Sequence, residues 1–229
     1  MFKKNKSVLV VAAHPDDEVL GCGGTIAKLS KKGLKINILF ISDGVSSRKL
    51  SQKNFLKELQ NRRKACIKAC RILGSNKPIF YGLPDNALDK VPLLKIVKIV
   101  EKYISKFKPE IIFTHFFNDL NIDHQIVNKA VVTSCRPQSK NPVKTMLFFE
   151  IPSSTEWQIS KNKNVFNPNW FEDINLQLNL KIKALKAYKN ELRKWPHPRS
   201  TKGVKALATW RGASAGFGAA EAFILGRKI

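Results

Sequence analysis

Short apolar runs alternate with segments of helical periodicity through the first two thirds of the chain. Residues 8–13 (VLVVAA) form an unbroken apolar run, the pattern of a strand buried on both faces, and residues 35–41 (KINILFI), apolar apart from Lys35 and Asn37, read as a second strand. Three shorter strands are expected at 78–81, 110–114 and 145–149. Between the strands, apolar residues recur every three or four positions, as on one face of a helix. A helix is expected at 24–32. A second spans 54–73, with Leu59, Cys66, Cys70 and Leu73 on one face and Gly74 as its stop. A third spans 92–107, with Leu93, Val97, Val100 and Ile104 inward, and a fourth 123–134, with Ile126, Val127, Ala130 and Val131 inward. Alternation of this kind predicts an α/β, Rossmann-like three-layer sandwich: a mostly parallel sheet with helices on both faces.

From about residue 151 the pattern weakens. Residues 153–169 are polar and turn-rich and read as a long loop or lid, 173–193 read as helix, and the prolines force 195–200 to be extended. There is no repeat and no linker that would split the chain. A single domain over 1–229 is therefore expected, with the irregular portion forming lid and substrate pocket.

Composition changes this picture in one respect. Hydrophobic content of 43% and charged content of 25% fit a folded globular chain, but 41 Lys and Arg against 17 Asp and Glu leave a net charge of +24. Such an excess suits nucleic acid, an anionic membrane or a phosphate-bearing substrate. The lysines are scattered through every helix instead of gathered in one arm, so solvated faces come first and an anionic substrate or carrier second. The four cysteines show no CxxC pair. Cys66 and Cys70 share a helix face as core residues, which fits a reducing, cytoplasmic setting. No run approaches the ~20 apolar residues of a membrane span; peripheral membrane association stays open.

The chemistry concentrates where the first strand ends. His14, Pro15, Asp16, Asp17 and Glu18 crowd an imidazole and three carboxylates onto one turn, which packing does not require. His14 and Asp17 are spaced to hold one ion between them. In an open α/β sheet, ligands bind beyond the carboxyl ends of the strands where the order reverses. With the common order 3-2-1-4-5, the first and fourth strands flank that crevice, and the fourth is followed by a second His/Asp cluster ending at His124. Catalytic zinc sites commonly take three N/O ligands and leave a position for water. His14, Asp17 and His124 supply such a set, and Asp16 is left to take a proton from the water. Asp123 or Asp119 is expected to orient a ligand imidazole. The glycines at 21, 23 and 24, with Asp43 some 20 residues on, invite a dinucleotide-binding reading. They begin too far beyond the strand and lack the third glycine, Ile26 standing there. They are read instead as letting a helix approach the metal loop.

The run AHPDDE at 13–18, LGCGG at 20–24 and NIDH at 121–124 resemble the PIG-L/LmbE family of zinc-dependent N-deacetylases. The likeness extends through SDG at 42–44, Arg62, GLPD at 82–85, Arg211 and AEAF at 220–223, nearly the whole chain. It implies a Rossmann-like fold, zinc on His14, Asp17 and His124, Asp16 as general base, and removal of acetate from an N-acetylated amino sugar. Arg62 matches a family arginine and is expected at the pocket rim. Many relatives carry His where this chain has Asn121, so help for the oxyanion is expected from zinc, Asn121 or His197, with His115 behind them. Arg199 and Arg211 are expected either to hold a substrate phosphate or to close the fold.

The expectation is thus a cytoplasmic deacetylase with Asp16 and Asp123 in catalysis, Arg62, Asn121 and Arg199 toward substrate, and one zinc per chain. Iron or cobalt fits the same ligands. The sugar is free, nucleotide-linked, lipid-linked or glycan-bound, and a homo-oligomer is compatible with the sequence. Two alternatives remain: a zinc hydrolase acting on a non-sugar amide, or a basic module that binds nucleic acid or membrane around a structural metal. Against the last, structural zinc sites are usually closed by four ligands rich in Cys, and no cysteine falls in either cluster.

Overall fold

The strand that leads into the AHPDDE turn, β1 (Ser7–Ala12), is an interior strand of a seven-stranded sheet in this computed structural model, which describes residues 6–138, 142–159 and 164–229. It pairs in parallel with β2 (Lys35–Ser42) on one side and β4 (Ile111–His115) on the other. Outside them lie β3 (Ile79–Leu83) and β5 (Thr145–Phe149), also parallel, so the order through the first five strands is 3-2-1-4-5. β7 (Ala220–Lys228) then pairs antiparallel with β5, and β6 (Trp170–Asp173) closes the edge antiparallel to β7. The result is a mixed, mostly parallel sheet flanked by helices, the expected class.

Every residue of β1 after Ser7 is buried, as a parallel strand covered on both faces requires. One face packs on α1 (Asp17–Lys31), α2 (Gln52–Leu73) and α5 (Leu178–Leu185) around Val10, Phe40, Phe113 and Tyr188. The other packs on α3 (Leu93–Phe107) and α4 (Ile122–Ser134) around Val11, Ile41, Val100 and Val127. On α2 the expected face is buried at Cys66, Cys70 and Leu73, and Gly74 ends the helix at φ 76, a conformation glycine adopts freely. On α3 the inward face is rotated: Leu93 is exposed, and Ile96 and Ile99 are buried with Val97, Val100 and Ile104.

The largest departures lie in α1 and after β5. The first helix starts at Asp17, not residue 24, and is kinked at Cys22 (φ −145). The kink is why a run with three glycines did not read as one helix. Gly24 and Thr25 donate their N–H groups to the Glu221 carboxylate at 2.8 and 2.7 Å, and Lys181 Nζ ties Glu221 to the Leu20 carbonyl. The glycines serve the core rather than the metal loop. A Cβ on Gly21 would lie 2.4 Å from the Phe149 ring, and one on Gly24 2.7 Å from Ile174. Farther on, the helix expected at 173–193 is confined to α5 after one short 3-10 turn, Asn175–Gln177. Strands β6 and β7 and helix α6 (Thr201–Ala213) replace irregular chain. The expected loop at 153–169 is turn-rich where described; residues 160–163 lie outside the described residues.

Candidate metal and catalytic centre

The carboxyl ends of β1 and β4 bring the two His/Asp clusters together. His14 Nδ1 lies 3.2 Å from Asp17 Oδ2 and 3.3 Å from His124 Nε2, and His124 Nε2 lies 3.5 Å from the same oxygen. All three side chains are buried. Each imidazole is held from behind. His14 Nε2 faces Asp123 Oδ2 at 3.1 Å and Asp85 Oδ1 at 3.2 Å, while His124 Nδ1 faces Asp119 Oδ1 at 2.9 Å. If the outer nitrogens donate to these carboxylates, the inner nitrogens of neutral imidazoles are left with lone pairs toward Asp17. Lone pairs facing one another in a buried site repel unless a cation lies between them. A second oxygen, Asp17 Oδ1, is buried with no hydrogen-bond partner. The donor set and this orphaned oxygen fit a divalent metal held by His14, Asp17 and His124.

The orienting carboxylates are themselves fixed. Asp123 accepts from the N–H groups of Asn86 and Leu88 at 2.8 and 3.0 Å, so it serves His14. Asp119 accepts from Thr155 at 2.5 Å, from the Ser154 hydroxyl and from the Asn121 N–H, and serves His124. Charge follows this geometry. Burial disfavours a charged His14, but Asp123, Asp17 and Asp85 outweigh it and push its pKa well up. Burial would raise Asp17, yet His124 and His115 hold it well below the usual carboxylate range. Asp119 is brought down to about 2: burial opposes this, and the hydrogen bond from His124 outweighs it. His115 is buried at the end of β4, as expected for a packing residue. Its Nε2 accepts from Ala13 N–H at 2.9 Å, and its ring stacks on His124 with centroids 3.9 Å apart.

Asp16 stands beside this cluster with φ 129, a left-handed backbone rare for any residue but glycine, which costs about 1–3 kcal/mol. One carboxylate oxygen, Oδ1, accepts from Arg62 at 3.1 Å; the other, Oδ2, is buried without a hydrogen-bond partner, with Arg199 3.6 Å away. Burial raises its pKa, and the two arginines offset part of that.

Of the three residues expected at the substrate, the fold commits Arg62 and Asn121 elsewhere and leaves Arg199 beside Asp16. Arg62 is buried, not at a rim: Nε donates to the Pro15 carbonyl, and its two terminal nitrogens reach Asp16 and Glu191. Asn121 caps α4, accepting from Asp123 N–H at 2.8 Å while its amide donates to Asn86. Arg199 donates from Nε to Ser153 and Pro152, with its side chain 25% exposed beside Asp16, so part of its guanidinium is left for another partner. Arg211 closes the fold through a two-point pair with Glu150 at 2.8 and 2.7 Å. Asp43 holds its own turn through the N–H groups of Val45 and Ser46. His197 lies edge-on to Trp157. Asp85, Tyr188 and Glu191 had no assigned role in the sequence. Only the GLPD match at 82–85 pointed to the first; the other two follow α5, where periodicity gave no guide.

A mostly parallel α/β sandwich with a buried His–Asp–His cluster beyond its strand ends belongs to the class of α/β enzymes with a metal-type centre. Within that class the chain belongs to the PIG-L family, whose model, described as GlcNAc-PI de-N-acetylase, matches residues 9–135. It is an enzyme, a deacetylase of that family. The uncharacterized deacetylase YaiS of Escherichia coli (strain K12) is 28% identical over 193 residues, covering 82% of this chain and 92% of that protein. A probable N-acetyl-alpha-D-glucosaminyl L-malate deacetylase 2 of Bacillus subtilis (strain 168) is 25% identical over 80% of this chain and 82% of its own length. Among solved structures, N,N'-diacetylchitobiose deacetylase from Pyrococcus horikoshii superposes with a TM-score of 0.77 at 22% identity, over 96% of this chain and 83% of that one. A 4-carboxy-2-hydroxymuconate hydratase from Pseudomonas putida KT2440 shares the fold as well, with a TM-score of 0.76 at 20% identity over 98% and 97%. The fold alone therefore does not choose the reaction. Among the described residues no helix is long and apolar enough to cross a membrane.

Proposed function

We propose that this chain hydrolyses the acetamide of an N-acetylated amino sugar, with a divalent metal, zinc by its donor set, on His14, Asp17 and His124. The observation that supports this most is the pairing of three inward-facing metal donors with a buried, unpartnered oxygen, Asp16 Oδ2, beside them. His14, Asp17 and His124 would hold the ion, which would supply Lewis-acid chemistry: a more acidic water and a polarised amide carbonyl. Asp16 Oδ2 takes the water's proton and later delivers it to the departing amine, and burial suits that base by raising its pKa. Arg62 fixes the other oxygen, so the basic lone pair has one direction.

The sugar is supported by the kinship with the Bacillus enzyme, whose name carries an N-acetylglucosaminyl group. Asn121 is committed to capping, and Arg62 to Asp16 and Glu191. Arg199 is the cation with free reach beside Asp16, and it is assigned to the substrate. The four buried free cysteines suit a reducing, cytoplasmic site of action. Metal analysis with an acetate-release screen over N-acetylated sugars tests the reading. It expects about one metal per chain and acetate from at least one sugar. Hydration of an unsaturated acid with no acetate release would sink it.

A further inference from the structure

An Asp at a helix N-cap ordinarily sits in the extended region and turns its carboxylate onto the N–H groups of the first turn. Asp16 does neither. It precedes α1 with φ 129, makes no side-chain cap, and turns its carboxylate to Arg62 instead, while its carbonyl accepts from Val19 and Leu20. Something must hold so strained a backbone. Glu18, fully buried, places Oε2 2.9 Å from the Asp16 N–H, reaching back from the first turn of α1. Its other oxygen accepts from the Tyr188 hydroxyl at 2.5 Å, and Tyr188 is itself 1% exposed. Cys66 and Cys70, with sulfurs 3.9 Å apart, wall this cluster. No solvent reaches Glu18, and its two oxygens are taken by Asp16 and Tyr188.

We infer that Glu18, braced by Tyr188, is a positioning residue that holds the Asp16 backbone in its left-handed conformation and so aims Asp16 Oδ2 at the reacting water. The inference rests on the reading of Asp16 as the base. Glu18 never touches the reacting atoms; it acts through Asp16. A planar head group with two polar ends is needed because two partners, the Asp16 N–H and the Tyr188 O–H, arrive from opposite sides. A glutamine also meets the need, since its oxygen accepts from Asp16 while the Tyr188 oxygen accepts from its NH2.

Kinetics on the metal-loaded enzyme tests this. Glu18→Ala is expected to lower kcat about 100-fold, the scale of a one-ångström misplacement, with KM and bound metal within about twofold. Glu18→Gln is expected to restore kcat to within about threefold of wild type by the same logic. In an Asp16→Ala background, Glu18→Ala is expected to cost nothing more, because no carboxylate is left to aim. Losses that multiply across the two sites overturn the inference. If Glu18→Ala does not fold, Glu18→Gln combined with Tyr188→Phe reads the same contact. The amide NH2 then has no acceptor, and kcat is expected to fall about tenfold beyond the product of the single losses; a purely multiplicative loss overturns it. A crystal structure of the Glu18→Ala protein (or of the Glu18→Gln/Tyr188→Phe protein) gives a readout without substrate. Asp16 is expected to relax out of positive φ, and an unchanged φ overturns the inference. A wild-type protein that releases no acetate sinks the proposed function and leaves this question to the φ measurement.

Discussion

The chain up to β5 and the chain after it contribute differently to one centre. The first part supplies the chemistry: His14, Asp16 and Asp17 after β1, and Asp119, Asp123 and His124 after β4, delivered by parallel strands that end at the same level. The second part supplies few of the reacting groups and most of the bracing. Ser154 and Thr155 fix Asp119, Tyr188 fixes Glu18, Glu191 fixes Arg62, and Glu221 caps the kinked α1. Regular hydrogen bonding places the reactive side chains, and less regular chain holds them still.

The comparison breaks most sharply if the chemistry does not reside in the first part. His124→Ala or Asp17→Ala is expected to abolish both metal binding and turnover, leaving two of the three donors, too few for a tight site. Metal content after dialysis, alongside acetate release, checks it. Asp16→Asn is expected to keep the metal and lower kcat by about 10²–10⁴, the usual worth of a positioned base. A variant that retains wild-type turnover removes Asp16 from the mechanism.

The division also explains what was legible beforehand. The runs at 8–13 and 35–41 become β1 and β2 because a doubly covered parallel strand is apolar toward both faces, unbroken in the first run and interrupted only at Lys35 and Asn37 in the second, a pattern no surface helix imitates. The meeting of His14, Asp17 and His124 was legible because ionisable groups clustered after two strand ends exceed what packing requires. The β7 sequence mixes Glu221, Gly226, Arg227 and Lys228 into its apolar run, and α6 carries two glycines, so neither shows its period. Arg62 was misplaced at a rim because a sequence does not disclose that Pro15, Asp16 and Glu191 meet on one guanidinium.

Bracing from the second part is tested by Glu221→Ala. The substitution strips the N–H groups of Gly24 and Thr25 of their acceptor and leaves Lys181 buried without its carboxylate. Breaking a buried pair in this way costs about 3–5 kcal/mol. For a chain of this size the loss lowers Tm by roughly 6–20 °C. Metal binding well below the transition is expected to persist, because Glu221 touches the inner face of α1 and not the ligands. Metal loss at low temperature would mean that bracing and chemistry are not separable.

The smallest expected effect falls on the residue of the second part that reaches the centre itself. Arg199 sits 3.6 Å from Asp16 Oδ2 and lowers the pKa that burial has raised. Arg199→Gln removes that cation, so the Asp16 pKa rises further. A base must be deprotonated to act, so activity is expected to be lost at a higher pH as the solution is acidified. The acid limb of the kcat/KM profile therefore moves upward while the plateau falls about tenfold through weaker substrate contact, roughly the worth of one charge-assisted hydrogen bond. Arg199→Lys is expected to restore the position of the limb but not the plateau, because an ammonium keeps the charge and loses the guanidinium's directed donors. An acid limb that does not move in Arg199→Gln would confine Arg199 to bracing the 152–153 turn, with the rest of the C-terminal region.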